Sequence, residues 1–156
     1  MEEPMLRELL STNPDWTLTI IRTLLGAVFF AHGAQKLLGW YGGPGLKETM
    51  RAMHDHLGLP LPLAFAAVAT EFFGGAGLIV GFLSRVAAVG IGVTMLSAIV
   101  MVHGRNGLFM DWFGARKGHG YEYHLLAIAL ALVLVVKGSG AVSLDHLLFS
   151  SLGASE

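Results

Sequence analysis

Residues 17–39, TLTIIRTLLGAVFFAHGAQKLLG, limit what the chain can become more than any other stretch. The run is apolar for most of its length and holds no proline, yet it carries Arg22, His32, Gln35 and Lys36. At about 1.5 Å of rise per residue, a helix here could cross a hydrocarbon core of roughly 30 Å. A soluble core helix rarely needs such length, and a simple anchor rarely needs such side chains. The stretch is expected to be the first spanning helix of a small integral protein of the cell membrane with a polar interior.

Composition agrees. The chain is 54% hydrophobic and 13% charged, with a mean hydropathy of +0.63, where a soluble domain carries about 25% charge. Its 156 residues suffice for one compact domain, and the expected fold class is all-α, an integral membrane four-helix bundle. Strands are set aside because an open sheet in lipid leaves backbone groups unpaired. A net charge of −1 gives no broad basic surface for nucleic acid. Cysteine is absent, which excludes disulfides, thiolate metal sites and thiol chemistry by this chain's own residues. The acidic N-terminus lacks the basic region of a cleaved signal peptide.

The pattern divides the chain into an N-terminal interfacial segment (1–15), a membrane domain (16–148) and a tail (149–156). Leu6, Leu9 and Leu10 suggest a short surface helix ended near Asn13 and Pro14, after which Asp15 or Thr17 can cap the first span. Trp16 and Trp40 bracket that span as an aromatic belt would. Gly26 and Gly33 permit close helix approach. WYGGPG signals a turn, and Leu46, Met50, Met53 and Leu57 then recur as on an amphipathic surface helix, ended by Gly58 and Pro60. A second span is expected over 62–81, with Glu71 near its middle and Gly74, Gly77 and Gly81 as packing positions. A tight turn at 82–84 leads to a third span over 85–103. The connection 104–120 mixes Arg105, Asp111, Arg116 and Lys117 with Phe109, Trp112 and Phe113, as interfacial segments do. The fourth span is expected over 121–137. A glycine turn and a short apolar patch follow, with Ser143 and Asp145 as local caps. Four spans would place both termini on one side.

Ionised groups facing lipid are costly, so those inside the apolar runs should face the bundle or reach the interface. Arg22 and Lys36 lie near opposite ends of their helix and can snorkel. Glu71 has the least escape, and its simplest partner is Arg22 or Lys36 on the neighbouring helix. Two readings follow. In one, a buried polar pocket uses Glu71 for proton exchange, while Arg22, His32 or Lys36 steadies an anionic or carbonyl-bearing ligand. In the other, an internal ion pair fixes helix register. His103 and His124 lie near helix ends, where capping competes with ligand contact. His54, His56, His119 and His146 are weaker candidates in connections. No zinc motif is present, and no metal is expected. His32, His103 and His124 are of the type that ligates haem, but isolated histidines on separate helices do not make that an expectation.

Five segments, RTLLGAVFFAHGAQKLLG (22–39), EFFGGAGLIVGFLSR (71–85), VHGRNGLF (102–109), GYEYHLL (120–126) and GSGAVSLDHLL (138–148), give the chain its resemblance to the DoxX family of small membrane proteins. That resemblance implies a four-helix membrane fold. It also implies a link to oxidoreductase chemistry, in some relatives thiosulfate oxidation coupled to quinone reduction and in others thiol-redox partners. Carried onto this chain, the family pattern falls on Arg22, His32, Lys36, Glu71, Arg85, His103, Glu122 and His124. Any sulfur substrate or partner would have to bring its own sulfur.

The expected function is a membrane oxidoreductase or the quinone-interacting subunit of a redox complex. Glu71 and His32 would be catalytic, and Arg22, Lys36, His103 and His124 would contact the quinone. Membrane lipid, a redox protein and a second copy of the chain are the expected partners. The competing expectation is a non-enzymatic membrane scaffold or small-solute carrier, which would bind a partner or move solute without redox turnover.

Overall fold

The computed structural model describes residues 3–114 and 118–153, which form seven helices. They are α1 (Glu3–Leu10), α2 (Trp16–Leu38) and α3 (Gly45–Leu57); α4 (Leu61–Val80) and α5 (Ser84–Asn106); and α6 (Glu122–Lys137) and α7 (Leu144–Gly153). Neither α4 nor α5 is regular. The former widens into a π-helical turn at Thr70–Gly74, the latter at Ile99–His103. Of the basic residues expected in the 104–120 connection, Arg116 and Lys117 lie outside the described residues.

The all-α expectation holds, but a simple four-helix bundle does not form. Among the described residues, three helices are long and apolar enough to span a membrane: α2, α4 and α5. Helix α6 is apolar but has 16 residues, about 24 Å at the α-helical rise, against a hydrocarbon core of roughly 30 Å. Helices α1, α3 and α7 are shorter additions around these. The chain is a multi-pass integral membrane protein.

Local chemistry sets the helix ends. The Asp15 carboxylate accepts from Thr17 N at 2.7 Å and caps α2. At the other end Gly39 adopts φ +74°, and Gly58 closes α3 in the same left-handed conformation at φ +67°. Helices α2 and α4 run antiparallel and touch backbone to backbone. A Cβ on Gly33 would lie 2.4 Å from Phe72 N, and one on Gly75 2.4 Å from Phe30 N. Gly77, expected as a packing position, faces the Phe82 carbonyl of the α4–α5 turn. The core joins Leu25 and Phe29 of α2 to Leu78 of α4, Ile91 and Met95 of α5 and Leu134 of α6. Val86, Val89, Val93, Leu96 and Val100 leave an exposed apolar face on α5, suited to lipid.

One end of the bundle is clasped by three charged side chains. Arg22 donates through Nε to Ser139 O (2.8 Å), through Nη1 to Leu78 O and Ile79 O (2.6 Å each), and through Nη2 to Val142 O. Arg85 donates to Val135 O, to Val136 O at 3.2 Å, and to the Ser11 carbonyl. Both guanidiniums thus satisfy carbonyls that a helix C-terminus leaves unpaired. Asp145 accepts from Leu83 N (2.7 Å) and Ser84 N (2.9 Å), capping α5 from a distance rather than its own helix. Ser143 does cap locally, accepting from His146 N at 3.1 Å. The backbone of 11–19 meets that of 137–142 at this same end, as in Asn13 N to Lys137 O.

Candidate functional site

The other half of the bundle holds a cavity of about 730 Å³ among α2, α4, α5 and α6, roofed by Met53, Leu57 and Leu59 in and just beyond α3. Small residues create it. Ala66 and Ala67 of α4 face Ser97 and Ala98 of α5 across the space. It narrows where Thr70 meets Gly90, whose Cβ, if present, would lie 2.8 Å from the Thr70 methyl group. The outer rim includes Leu63 and Val93, each 60% exposed.

Both π-helical turns deliver polar residues to this wall, Glu71 from α4 and His103 from α5. A π turn inserts an extra residue and re-aims the side chains around it, and such turns concentrate at functional sites. Lys36 Nζ lies 2.6 Å from both Glu71 oxygens, across the α2–α4 interface. Contact with Oε1 has hydrogen-bond geometry, whereas Oε2 is buried with no hydrogen bond among the described residues. Glu71 is buried, and the Lys36 side chain keeps 29% of its surface exposed.

His103 and His124 also line the cavity, with ring centroids 4.2 Å apart and planes tilted by 39°. His103 Nδ1 is 2.8 Å from the His119 carbonyl oxygen. A carbonyl only accepts, so a neutral His103 carries its proton on Nδ1 and leaves Nε2 as an acceptor. The loop thereby fixes the tautomer of a cavity residue. Tyr123 sits between His124 and His32, at centroid distances of 5.5 and 6.5 Å. Among the described residues, the Tyr123 hydroxyl and His124 Nδ1 are buried without a hydrogen-bond partner, as is Glu71 Oε2.

Of the six residues expected to form a site, five line this cavity: His32, Lys36, Glu71, His103 and His124. Arg22 does not. Its donors are directed at backbone carbonyls in the clasp, so Lys36 and not Arg22 partners Glu71. Arg85 is engaged in the same way, and Glu122 accepts from Trp112 Nε1 at 3.4 Å. Tyr123 was not among the expected residues. Its one sequence signal was adjacency to His124 at the polar start of an apolar helix. No set of three His, Asp or Glu side chains among the described residues converges as a metal site requires.

These features define a class: a multi-pass, all-α membrane protein whose helices enclose a mostly apolar cavity with polar groups on its wall. The chain belongs to the DoxX family, whose profile matches residues 17–104, from α2 through the π turn of α5. It is also similar to "Putative oxidoreductase CatD" of Bacillus subtilis (strain 168), with 30% identity over 83 residues. That alignment covers 53% of this chain and 57% of the relative, so the match spans little more than half of either protein. No solved structure matches the chain significantly.

Proposed function

We propose that the chain is a quinone-handling membrane oxidoreductase, or the quinone-binding subunit of a redox complex. The observation that carries this reading is the pair of buried polar atoms Tyr123 Oη and His124 Nδ1, without a hydrogen-bond partner among the described residues, on the wall of the mostly apolar cavity that also holds the Lys36–Glu71 ion pair. A buried polar atom without a partner costs about 1–3 kcal/mol, which a ligand that hydrogen-bonds to it recovers. An apolar ring bearing carbonyl groups suits such a wall: aliphatic and aromatic side chains take the ring, and a few donors fix its orientation.

In this reading Lys36 and the Tyr123 hydroxyl donate to the ligand oxygens. Conversion of a quinone to a quinol takes two electrons and two protons; a redox partner protein supplies the electrons. In the same reading Glu71 passes a proton to or from the ligand oxygen, with His32, which is exposed, as the exchange point. The hydride or electron chemistry belongs to the quinone, and the chain provides binding, orientation and proton handling. The oxidoreductase name of the Bacillus relative agrees with this reading.

The test is to purify the protein in mild detergent, then record its ultraviolet–visible spectrum before and after reduction and analyse its lipid extract by mass spectrometry. The expected result is a quinone retained near one per chain, or restored by adding quinone back. A folded protein that neither retains nor rebinds quinone would overturn the proposal in favour of a scaffold or carrier.

A further inference from the structure

The polar groups on the cavity wall differ in how far the fold has settled their hydrogen-bonding roles. The Tyr123 hydroxyl can donate or accept, and His124 Nδ1 takes either role according to its tautomer. Lys36 only donates, and it is engaged with Glu71. His103 is different. Its Nδ1 lies 2.8 Å from the His119 carbonyl oxygen, so the neutral ring keeps its proton there. Asn106 Nδ2 donates to the same oxygen at 3.0 Å, which occupies both lone pairs of that carbonyl and holds it in place. Gly118 leaves room for this amide, since a Cβ on it would lie 2.8 Å from Asn106 Nδ2. The two nitrogens of an imidazole face nearly opposite ways, so tying Nδ1 to the loop turns Nε2 away from it. His103 lines the cavity, and its Nε2 has no hydrogen bond among the described residues.

A lone pair that can only accept calls for a donor on whatever occupies the cavity. A quinone offers none at its two oxygens, which are both carbonyls. Its two-electron-reduced form, the quinol, offers a hydroxyl at each. We infer that His103 Nε2 accepts the hydroxyl hydrogen of a bound quinol, that Asn106 is the positioning residue that keeps His103 in the accepting tautomer, and that the cavity binds the quinol in preference to the quinone. The inference rests on the quinone reading above and adds the redox form that the site recognises. The Tyr123 hydroxyl does not make this choice, because it donates to a carbonyl or a hydroxyl oxygen alike. At His103 the two forms differ by a hydrogen bond gained against two lone pairs facing each other, so the effect is one hydrogen bond in size.

The experiment has two arms, both on the full chain in detergent at about pH 8, where an ordinary imidazole is neutral. The first is imidazole nitrogen NMR of the histidine-labelled protein, with the His103 signals assigned through His103→Gln. The expected result is a protonated Nδ1 and a bare Nε2 on His103, with the proton redistributed toward Nε2 in Asn106→Ala. An Asn106 that served the fold alone would lower Tm and leave the tautomer as it was. The second arm is an oxygen-free thermal-shift titration with a decyl-substituted benzoquinol and with the matching benzoquinone, at one fixed detergent concentration. The ratio of the two Kd values is compared between proteins, so that partition into micelles cancels. The preference for quinol should fall about fivefold from wild type to His103→Phe and to Asn106→Ala. Circular dichroism establishes folding, and Gly118→Ala, which crowds the Asn106 amide without removing it, takes the place of Asn106→Ala if that variant does not fold. A proton on Nε2 of His103 in wild type would overturn the acceptor role. An unchanged tautomer in the folded Asn106 variant would overturn its positioning role. An unchanged ratio in folded His103→Phe would overturn recognition of the hydroxyl. Failure of wild type to bind either probe would instead remove the quinone reading, and the hydroxyl assignment with it, while the first arm would still decide the part of Asn106.

Discussion

Lys36 on α2 and Glu71 on α4 hold their charged groups 2.6 Å apart at the cavity wall, across 35 residues of sequence. The pair joins the first span to the π turn of the second. Breaking a fully buried pair by removing one partner costs about 3–5 kcal/mol. Lys36 is part-exposed, and screening of such a group lowers the expected cost of Glu71→Gln to about 1–3 kcal/mol. A double-mutant cycle with Lys36→Met, read from unfolding in detergent, should give a coupling above about 1 kcal/mol. Strictly additive single effects would show that the two groups are neighbours without being partners.

Arg22 should behave as a structural residue. Its donors satisfy the carbonyls of Ser139, Leu78, Ile79 and Val142. Lysine lacks the planar fork, so Arg22→Lys should cost about 2–4 kcal/mol by leaving carbonyls unmet. Probe binding by the protein that remains folded should stay within about twofold of wild type. A large change in affinity at unchanged Tm would put Arg22 in the ligand site after all.

Gly33 and Gly92 make a matched contrast. A Cβ on Gly33 would collide with the backbone of Phe72 and Glu71 at 2.4–2.7 Å, whereas one on Gly92 would meet nothing within 4 Å among the described residues. Gly33→Ala should push α2 from α4, break the Lys36–Glu71 geometry and lower stability by about 2 kcal/mol or more. The same change at Gly92 should stay within about 1 kcal/mol of wild type, on either side. Similar Tm values for the two variants would contradict the close α2–α4 packing.

Asp145 caps α5 through Leu83 N and Ser84 N, although it belongs to α7. Asp145→Ala should cost about 1–2 kcal/mol and increase amide exchange at Leu83 and Ser84 before the rest of α5. Uniform exchange along α5 in the variant would rule out a local cap.

Much of the frame is legible in the chain itself, because hydropathy and turn chemistry are local. The amphipathic spacing of Leu46, Met50, Met53 and Leu57 corresponds to α3, and Gly58 ends it. The long apolar runs correspond to α2, α4 and α5. Counting four equivalent spans fails at α6 because the polar GYEYH start shortens the apolar run that follows. What could not be read is non-local. Nothing in FAHGAQK or EFFGG says that α4 will widen into a π turn beneath Gly33. The fate of Arg22 depends on which helix end and which part of the α6–α7 loop arrive beside it, partners 56 to 120 residues away. The His103–His124 contact likewise needs the 104–120 connection to fold back, through Tyr121 N to Gly107 O and Glu122 N to Leu108 O. Lys36–Glu71 was within reach because a lone buried carboxylate demands a cation and the first span offered two.

The most direct measurement of the central claim is photolabelling of the detergent-solubilised protein with an azido-benzoquinone, followed by peptide mapping. The account predicts label in the segments that wall the cavity, 63–71, 90–103 and 123–124, competed away by unlabelled quinone and reduced in Tyr123→Phe. Label confined to the outer face of α5 or to the aromatic 109–113 loop, or label that excess quinone does not displace, would contradict it.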